Sequence, residues 1–240
     1  MNIFYCPEIL NGQTILDKEE SGHAVRVLRM KEGDNLTIVD GKGGFYTAKI
    51  TTANANQCSF EIIEKKENYG KRNFYLHIAI APTKNFDRTE WFLEKVTEIG
   101  IDEITFLNCE KSERRVVKSE RAEKIVVSAM KQSVKAFLPK LNACLPDRQE
   151  IVDFKKFIKS QSAEAKFIAH CRDGEKQNLK DCIKTNKNIL ILIGAEGDFS
   201  EAEVKLATEN GYVSVSLGES RLRTETAGVV ACHTVNLLNG

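Results

Sequence analysis

The alternation of short apolar runs with segments of helical periodicity, from residue 74 onward, most constrains what this chain can fold into. The apolar runs are Tyr75 to Ala81, Ile104 to Leu107, Phe167 to Ala169, Ile189 to Ile193 and Val213 to Leu217. After the first run, Phe92, Val96 and Ile99 recur on one helical face, and the glycine that follows is typical of a helix C-terminal cap. Such alternation predicts an α/β fold in which helices cover both faces of a mostly parallel sheet.

The first 70 or so residues follow a different pattern, in which short β-type runs alternate with turn residues. The runs are Asn35 to Asp40, Phe45 to Ile50 and Ser59 to Ile63, and one helical stretch, Glu19 to Met30, precedes them. The glycines between the first two runs supply positive φ and predict a hairpin. We therefore predict a small β-barrel domain over residues 1–70 and the α/β domain over residues 71–240, with a charged linker at Glu64 to Arg72.

Composition limits the class of protein. With 240 residues, of which 42% are hydrophobic, the chain can bury two modest cores. Lys and Arg total 35 against 34 for Asp and Glu, so the net charge of +1 provides no general attraction to nucleic acid. The N-terminal residues lack a basic segment before a long apolar run, and no stretch reaches about 18 apolar residues. These features predict a cytoplasmic protein that does not cross a membrane.

The seven cysteines are isolated from one another in the sequence. None belongs to a C-x-x-C pair, and no histidine is placed to complete a zinc site. The cysteines are Cys6, Cys58, Cys109, Cys144, Cys171, Cys182 and Cys232. We predict reduced thiols in the core and no bound metal.

The most informative segment runs from Ile189 to Glu203. An apolar strand ends at a loop with two glycines, and Ser200 with Glu203 forms an S-x-x-E capping box that opens a helix. Ligands of parallel sheets bind beside such loops, at the carboxyl ends of the strands. The carboxylates of Glu196 and Asp198 would repel a phosphate, so a neutral or cationic ligand fits better. A tight turn without a ligand is an equally good interpretation of these residues alone.

A second glycine loop follows within 30 residues. The apolar run Val213 to Leu217 ends at Gly218, and Thr224 is placed to cap a final helix. Arg221 and Arg223 lie in the turn before that helix. Arginines beside a glycine loop are more often solvated than catalytic, but the presence of two such loops favours a binding site.

The segments IGAEGDFSEAE (residues 193–203) and SLGESRLRTETA (residues 216–227) together resemble the paired signature of the SPOUT methyltransferases, most closely the ribosomal RNA small subunit methyltransferase E family. Other matching stretches are HAVRVLR (23–29), Lys84, EKVTEIG (94–100), SERR (112–115), and Gln132-Ser133 with Pro139. The resemblance implies a PUA-like β-barrel followed by an α/β domain with a deep C-terminal trefoil knot, S-adenosylmethionine as cofactor and a homodimer. The family pattern Gly-Pro-Glu-Gly-Gly is altered at Ala195 and Asp198, which predicts a looser loop, and lysines stand at 131 and 135 where relatives often have an acid and an arginine.

In such a family the reaction would be methylation of N3 of a specific uridine in 16S ribosomal RNA, within the assembled small subunit. The resemblance places cofactor contacts at Gly194, Glu196, Gly197, Leu217, Gly218, Leu222, Arg223, Thr224 and Ala227. Uracil N3 must lose a proton, so we predict Arg223 as the stabilising cation and Glu94 or Glu225 as the base. A different target RNA, a ribose 2'-hydroxyl target or a non-catalytic RNA-binding protein are the alternatives.

Local charge favours an RNA surface. Between Lys111 and Lys135 there are eight basic residues against three acidic ones, and a smaller basic group precedes the first hairpin. The predicted RNA contacts are His23, Arg26, Arg29, Lys84, Arg114 and Arg115. A solvated helix face would explain either basic group taken alone.

Overall fold

The computed structural model describes residues 2–142 and 151–240. The chain divides into two units, of which the first comprises Met1–Lys71 with Val127–Leu138 and the second Arg72–Val126 with Pro139–Gly240. The predicted boundary at residues 70 and 71 lies next to this division. No sequence pattern predicts that residues 127–138 belong to the first unit.

The first unit is built on a four-stranded sheet whose strands follow one another in chain order. Its strands are β1 (Ile3–Tyr5), β2 (Asn35–Val39), β3 (Phe45–Thr52) and β4 (Ser59–Lys66). Strand β1 is parallel to β2, and the other two pairings are antiparallel. Helix α1 (Lys18–Gly22) continues as a π-helical stretch, His23–Val27. The three predicted strands and the predicted helical stretch are therefore confirmed.

Local chemistry sets the hairpin between β2 and β3. Asp40 Oδ1 accepts hydrogen bonds from the backbone N–H groups of Lys42 (2.7 Å) and Gly44 (2.9 Å). Gly43 has a φ of +100°, which glycine adopts without steric cost. The predicted hairpin is confirmed. The predicted linker is wrong for residues 64–66, because they pair with β3 as the end of β4.

The described residues of the second unit form an eight-stranded sheet in which every pairing is parallel. Its strands are β5 (Tyr75–Ile80), β6 (Glu103–Asn108), β7 (Lys140–Asn142), β8 (Val152–Asp153), β9 (Ala165–Ala169), β10 (Gln177–Asn178), β11 (Asn188–Ile193) and β12 (Val213–Ser216). The order is β10-β12-β9-β11-β5-β6-β7, and β8 also pairs with β6. All five predicted apolar runs are strands of this sheet.

A short 3-10 helix, Pro7–Asn11, also belongs to the first unit, and the remaining helices lie in or begin in the second unit. They are α2 (Phe86–Ile99), α3 (Ser119–Gln132), α4 (Phe154–Lys159), α5 (Leu179–Cys182), α6 (Glu201–Glu209) and α7 (Thr224–Asn239). Helix α2 ends as predicted at Gly100, whose φ is +132° and whose N–H donates to the carbonyl oxygen of Val96. Helix α3 crosses from the second unit into the first after Val126.

Successive residues of β11 point to opposite faces of the sheet, and residues 189–193 are all buried. Leu190 and Leu192 pack in one core with residues of α4 and α6. On the opposite face, Gly228 of α7 lies so close to Phe92 of α2 that an added Cβ would collide with the ring, and Ile80 of β5 also lies near. Helices therefore cover both faces, as predicted.

Four cysteines, Cys6, Cys58, Cys109 and Cys232, are buried as predicted. Cys171 is exposed, so the predicted core position is wrong there, and Cys182 is only partly buried. Cys144 lies outside the described residues. None of the helices that the structure describes is long and apolar enough to cross a membrane. The trefoil knot implied by the resemblance stays a prediction.

Candidate functional site

A cavity of about 650 Å³ opens at the carboxyl ends of three adjacent strands, β12, β9 and β11. The loops that leave neighbouring parallel strands meet at this edge, which is where such sheets bind ligands. The first glycine loop follows β11 and the second follows β12, so the fold brings the two together. Eight of the nine predicted cofactor contacts line the cavity: Gly194, Glu196, Leu217, Gly218, Leu222, Arg223, Thr224 and Ala227.

The ninth, Gly197, belongs to the first glycine loop but does not line the cavity. Its carbonyl oxygen accepts a hydrogen bond from Lys111 Nζ at 2.8 Å. An added Cβ at Gly197 would lie 3.0 Å from Lys111 Cδ, closer than ordinary packing allows. The structure therefore places Gly197 against the side chain of Lys111 and not on the wall of the cavity.

Asp198 stiffens the first glycine loop at the position where the family pattern has a glycine. Its φ is +62°, a conformation that aspartate tolerates better than most residues. Its Oδ1 accepts a hydrogen bond from Phe199 N (2.8 Å), and its Oδ2 accepts one from Cys171 N (2.9 Å). The second bond joins the loop after β11 to the loop after β9. These two hydrogen bonds argue against a looser loop at this position, which stays a prediction.

Replacing Asp198 with glycine is expected to weaken cofactor binding by about tenfold, since a hydrogen bond to a charged group contributes roughly 1.5 kcal/mol or more. Glycine would keep the positive φ but lose the bond to Cys171. Asp198→Asn is the matched control, because it retains a side-chain oxygen and tolerates the same φ. Calorimetry with S-adenosylhomocysteine, the demethylated form of the cofactor that the resemblance implies, measures the affinities. Equal affinities for the glycine variant and the wild type would show that the bridge does not shape the cavity.

The helix after the first glycine loop is anchored by a buried carboxylate. Ser200 and Glu203 form the predicted capping box, with Glu203 Oε2 accepting from Ser200 N at 2.8 Å. The other oxygen of Glu203 accepts a hydrogen bond from Glu110 N at 2.8 Å. The capping box is confirmed, and its glutamate additionally links α6 to the segment after β6.

The second glycine loop leads from β12 into α7. Gly218 has a φ of +124°, and an added Cβ there would meet no atom within 4 Å. Helix α7 begins at Thr224, with Arg223 in the N-cap position. The predicted cap at Thr224 is therefore wrong by one residue, since Thr224 is already helical and buried. The Arg223 side chain makes no capping bond and is exposed at the cavity wall.

A third loop, which follows β9, completes the cavity and was not predicted. It contributes His170, Cys171 and Lys176 to the wall. Burial and then the positive charge of Lys176 lower the pKa of His170, Asp198 opposes them, and Arg172 adds a smaller lowering. The shift favours the neutral form of the imidazole. The apolar run predicted strand β9 from the sequence. The loop after this strand has no glycine motif of the kind that indicated a ligand site at the other two loops.

Comparison with known families decides what kind of site this is. The family model described as an RNA methyltransferase domain matches residues 71–236, and the one described as an RNA methyltransferase PUA domain matches residues 16–63. The first match alone spans well over half of the chain. The chain belongs to the RNA methyltransferase family.

Full-length relatives of this RNA methyltransferase confirm the resemblance to the ribosomal RNA small subunit methyltransferase E family. A crystal structure of a probable rRNA-methyltransferase from Porphyromonas gingivalis is 41% identical, with a TM-score of 0.91, over 100% of this chain and 98% of that one. The ribosomal RNA small subunit methyltransferase E of Neisseria gonorrhoeae, solved bound to S-adenosyl methionine, is 28% identical, with a TM-score of 0.86, over 100% and 98%. The enzyme of that name from Mesomycoplasma hyopneumoniae is 29% identical over 85% of this chain and 86% of its own length.

Neither glutamate predicted as the base lines the cavity of this methyltransferase. Glu94 is exposed on α2, and its hydrogen bond to Lys95 lowers its pKa, which makes it a weaker base. Glu225 is buried in the first turn of α7, with Oε1 3.9 Å from Arg88 Nε. Both carboxylates therefore lie off the cavity wall of this chain, and the identity of the base stays a prediction.

Arg114 of the methyltransferase has a structural task that the sequence did not predict. Its Nε and Nη2 donate to the carbonyl oxygens of Thr83 (3.1 Å) and Lys84 (2.7 Å), and its guanidinium lies over the Phe86 ring. The side chain of Arg115, by contrast, is exposed. Of these two arginines, which are among the six predicted RNA contacts, Arg115 is therefore the one available to a partner.

Several other basic side chains between Lys111 and Lys135 are paired within the protein. Lys111 donates to Gly197, Arg121 Nη2 lies 2.8 Å from Glu90 Oε2, and Lys131 forms an ion pair with Glu20. Of the other predicted contacts, Lys84 pairs with Glu113 at 2.8 Å, His23 is half-buried beside Phe4, and Arg26 and Arg29 are exposed. The charge count along the sequence therefore overstates the basic surface that the fold presents.

Proposed function

We propose that this chain is an S-adenosylmethionine-dependent enzyme that methylates N3 of a specific uridine in 16S ribosomal RNA. The single observation that carries the proposal is the cavity at the ends of β12, β9 and β11, which is lined by eight of the nine residues carried over from the family pattern. The full-length relatives named ribosomal RNA small subunit methyltransferase E, one of them solved with the cofactor bound, support the substrate and the cofactor.

The residues of the cavity fit S-adenosylmethionine. Its volume lies within the range of about 300–1,000 Å³ that small-molecule sites span. Gly218 has no side chain to obstruct a flat ring, and Glu196, Asp198 and Glu219 give the cavity wall three carboxylates, which suits a ligand that carries a sulfonium and an ammonium. A neutral or cationic ligand was the expectation from the sequence, and the cavity wall supports it.

The cofactor supplies an electrophilic methyl group on a cationic sulfur, so the protein must orient an attacking nitrogen and stabilise its charge. Uracil N3 becomes a good nucleophile as it loses its proton, and negative charge then spreads to the neighbouring carbonyl oxygens. Arg223 offers a planar guanidinium at the cavity wall to stabilise that charge. A base held inside paired RNA cannot reach the cavity, so the target uridine is single-stranded or flipped out.

Mapping of the modified nucleotide by mass spectrometry tests this function. Purified enzyme and cofactor would be incubated separately with small ribosomal subunits and with naked 16S RNA, both from cells that lack the modification. One added methyl group on a uracil base, in the particle but not in the naked RNA, is the expected result. A methyl group on a ribose would overturn the assignment, and it is recognised because the adjacent phosphodiester bond then resists alkaline hydrolysis. A methyl group on a different RNA would overturn it as well.

The enzyme is expected to act as a homodimer in the cytoplasm. On α7, Leu237 is 68% exposed and Leu238 is 40% exposed, an apolar surface that a second copy would cover. Val235, on the same helix, is buried.

Light scattering at micromolar concentration should therefore give twice the mass of the 27.0 kDa chain. Leu237→Glu should yield monomers of reduced activity, because a charge cannot be buried in an apolar interface without a partner. Val213→Glu, at an exposed apolar position on β12, is the control and should stay dimeric. A fully active monomeric wild type would contradict the proposal.

Arg115→Ala should weaken RNA binding and reduce the slope of log affinity against log salt by about 0.7, the value for one lost phosphate contact on a single strand. Arg115 is preferable to Arg114 for this test, since Arg114 also holds two backbone carbonyls. Lys205→Ala, at an exposed position on α6, is the control and should leave the slope unchanged. Fluorescence anisotropy over a salt series measures both. An unchanged slope for Arg115→Ala would assign this arginine to another task.

A further inference from the structure

His170 is a cavity residue that the family pattern and the proposed chemistry leave without a role. It directly follows β9, the strand that lies between β12 and β11, so it sits between the two glycine loops. Its backbone is held in place from two sides. Lys176 Nζ donates to the His170 carbonyl oxygen at 3.3 Å, and the next residue, Cys171, donates its N–H to Asp198.

Both ring nitrogens of His170 are buried and have no hydrogen-bond partner among the residues that the structure describes. Burying a polar group without a partner costs free energy, so nearly all such groups in native proteins are paired with protein, water or a ligand. Because His170 lines the cavity, a ligand bound there can supply the missing partner. Because the torsion about the Cβ–Cγ bond of histidine is broad and roughly two-fold, a rotation of the ring can turn either nitrogen toward that ligand.

A neutral imidazole carries one donor and one acceptor. The two halves of S-adenosylmethionine differ in what they offer to such a group. The methionine half ends in an ammonium, which only donates, and a carboxylate, which only accepts. The adenosine half offers an uncharged adenine edge and ribose hydroxyls, each of which both donates and accepts. Among the charges near the ring, Lys176 has the largest effect and disfavours the cationic end of the cofactor. Asp198 acts in the opposite sense, but both of its carboxylate oxygens already accept backbone N–H groups, and Arg172 adds a smaller positive contribution.

We infer that His170 recognises the adenosine half of the cofactor through a hydrogen bond from its ring. The inference depends on the proposed function in one respect only, namely that the cofactor is S-adenosylmethionine. It does not depend on which nucleotide is methylated. His170 is then a cofactor-binding residue that the family signature, confined to the two glycine loops, does not include.

The test measures binding without RNA, with two ligands and two variants of the full chain. The ligands are S-adenosylhomocysteine and 5'-methylthioadenosine, which keeps the adenosine half and lacks the amino acid group. His170→Phe should bind both ligands about tenfold more weakly, the effect of one lost hydrogen bond in a buried site. His170→Gln retains a donor and an acceptor and should recover most of the affinity. His233→Phe, an exposed histidine on α7, is the control and should bind like the wild type.

Thermal denaturation without ligand separates recognition from a structural role. Because His170→Phe removes two unpaired nitrogens and keeps a ring of similar size, its melting temperature should equal or exceed that of the wild type. A lower melting temperature that the Gln variant does not restore would overturn the inference. So would unchanged affinity of the Phe variant, a loss confined to S-adenosylhomocysteine, or a wild type that binds neither ligand. If both ligands bind as expected but no uridine is methylated, the proposed function fails and the inference stands.

Discussion

Replacing Arg223 with alanine is expected to lower the rate of methyl transfer by about 10²–10³, the typical effect of removing one well-placed charge-stabilising donor. Arg223 lies at the start of α7 with an exposed side chain on the cavity wall. If it stabilises the deprotonated uracil, cofactor affinity should change far less than the rate. Lysine should restore only part of the activity, because a point charge cannot match the planar guanidinium that spans a carbonyl and its neighbour.

The competing explanation is that Arg223 holds Glu225 or the loop in place. The structure already weakens this explanation, since Glu225 is buried and lies 3.9 Å from Arg88. Single-turnover kinetics, calorimetry with S-adenosylhomocysteine and thermal denaturation together separate the two. Arg221→Ala, in the same turn and also on the cavity wall, is the matched control and should retain most of the rate. An Arg223→Ala enzyme that is unstable, or fully active, would rule out the electrostatic role.

Gly218→Val is expected to weaken cofactor binding by about 100-fold or more while the protein stays folded. A β-branched residue is strained at a φ of +124°, by roughly 1–3 kcal/mol, and its side chain would occupy open space beside the cavity. No protein atom lies within 4 Å of the added Cβ, so the variant should not disturb the packing of its own core. The fold should therefore lose only the stability that the backbone strain costs, whereas cofactor affinity should fall much further.

Gly174→Val provides a control for backbone strain. Gly174 has the same φ of +124° and also has no neighbour within 4 Å, but it does not line the cavity. The two variants should lose similar amounts of thermal stability, and only Gly218→Val should lose affinity for S-adenosylhomocysteine. Equal loss of affinity in both, or undiminished affinity in Gly218→Val, would remove Gly218 from the site.

Features that depend on neighbours in the chain were predictable from the sequence. The period of the apolar residues predicted the five long strands of the parallel sheet and α2 with its glycine cap. The Ser200 and Glu203 capping box, the hairpin between β2 and β3 and the location of both glycine loops also follow from a few adjacent residues. The helix boundary at Thr224 was misplaced by one residue, because the cap geometry there depends on backbone angles that residue type does not determine.

Features that depend on which distant segments meet were decided by the tertiary structure alone. The strand order puts β9 between β12 and β11, and this adjacency makes His170 a cavity residue. The tertiary structure also brings the N–H group of Cys171 within hydrogen-bond distance of Asp198, and it lets Arg114 donate hydrogen bonds to the carbonyl oxygens of residues 83 and 84. Local propensity and periodicity act over a few residues, whereas these contacts join residues about 27–31 positions apart. The sequence by itself therefore determined the longer strands, the helices that carry caps and the loops that carry the family signature, and the packing of the elements decided which side chains are left free to act.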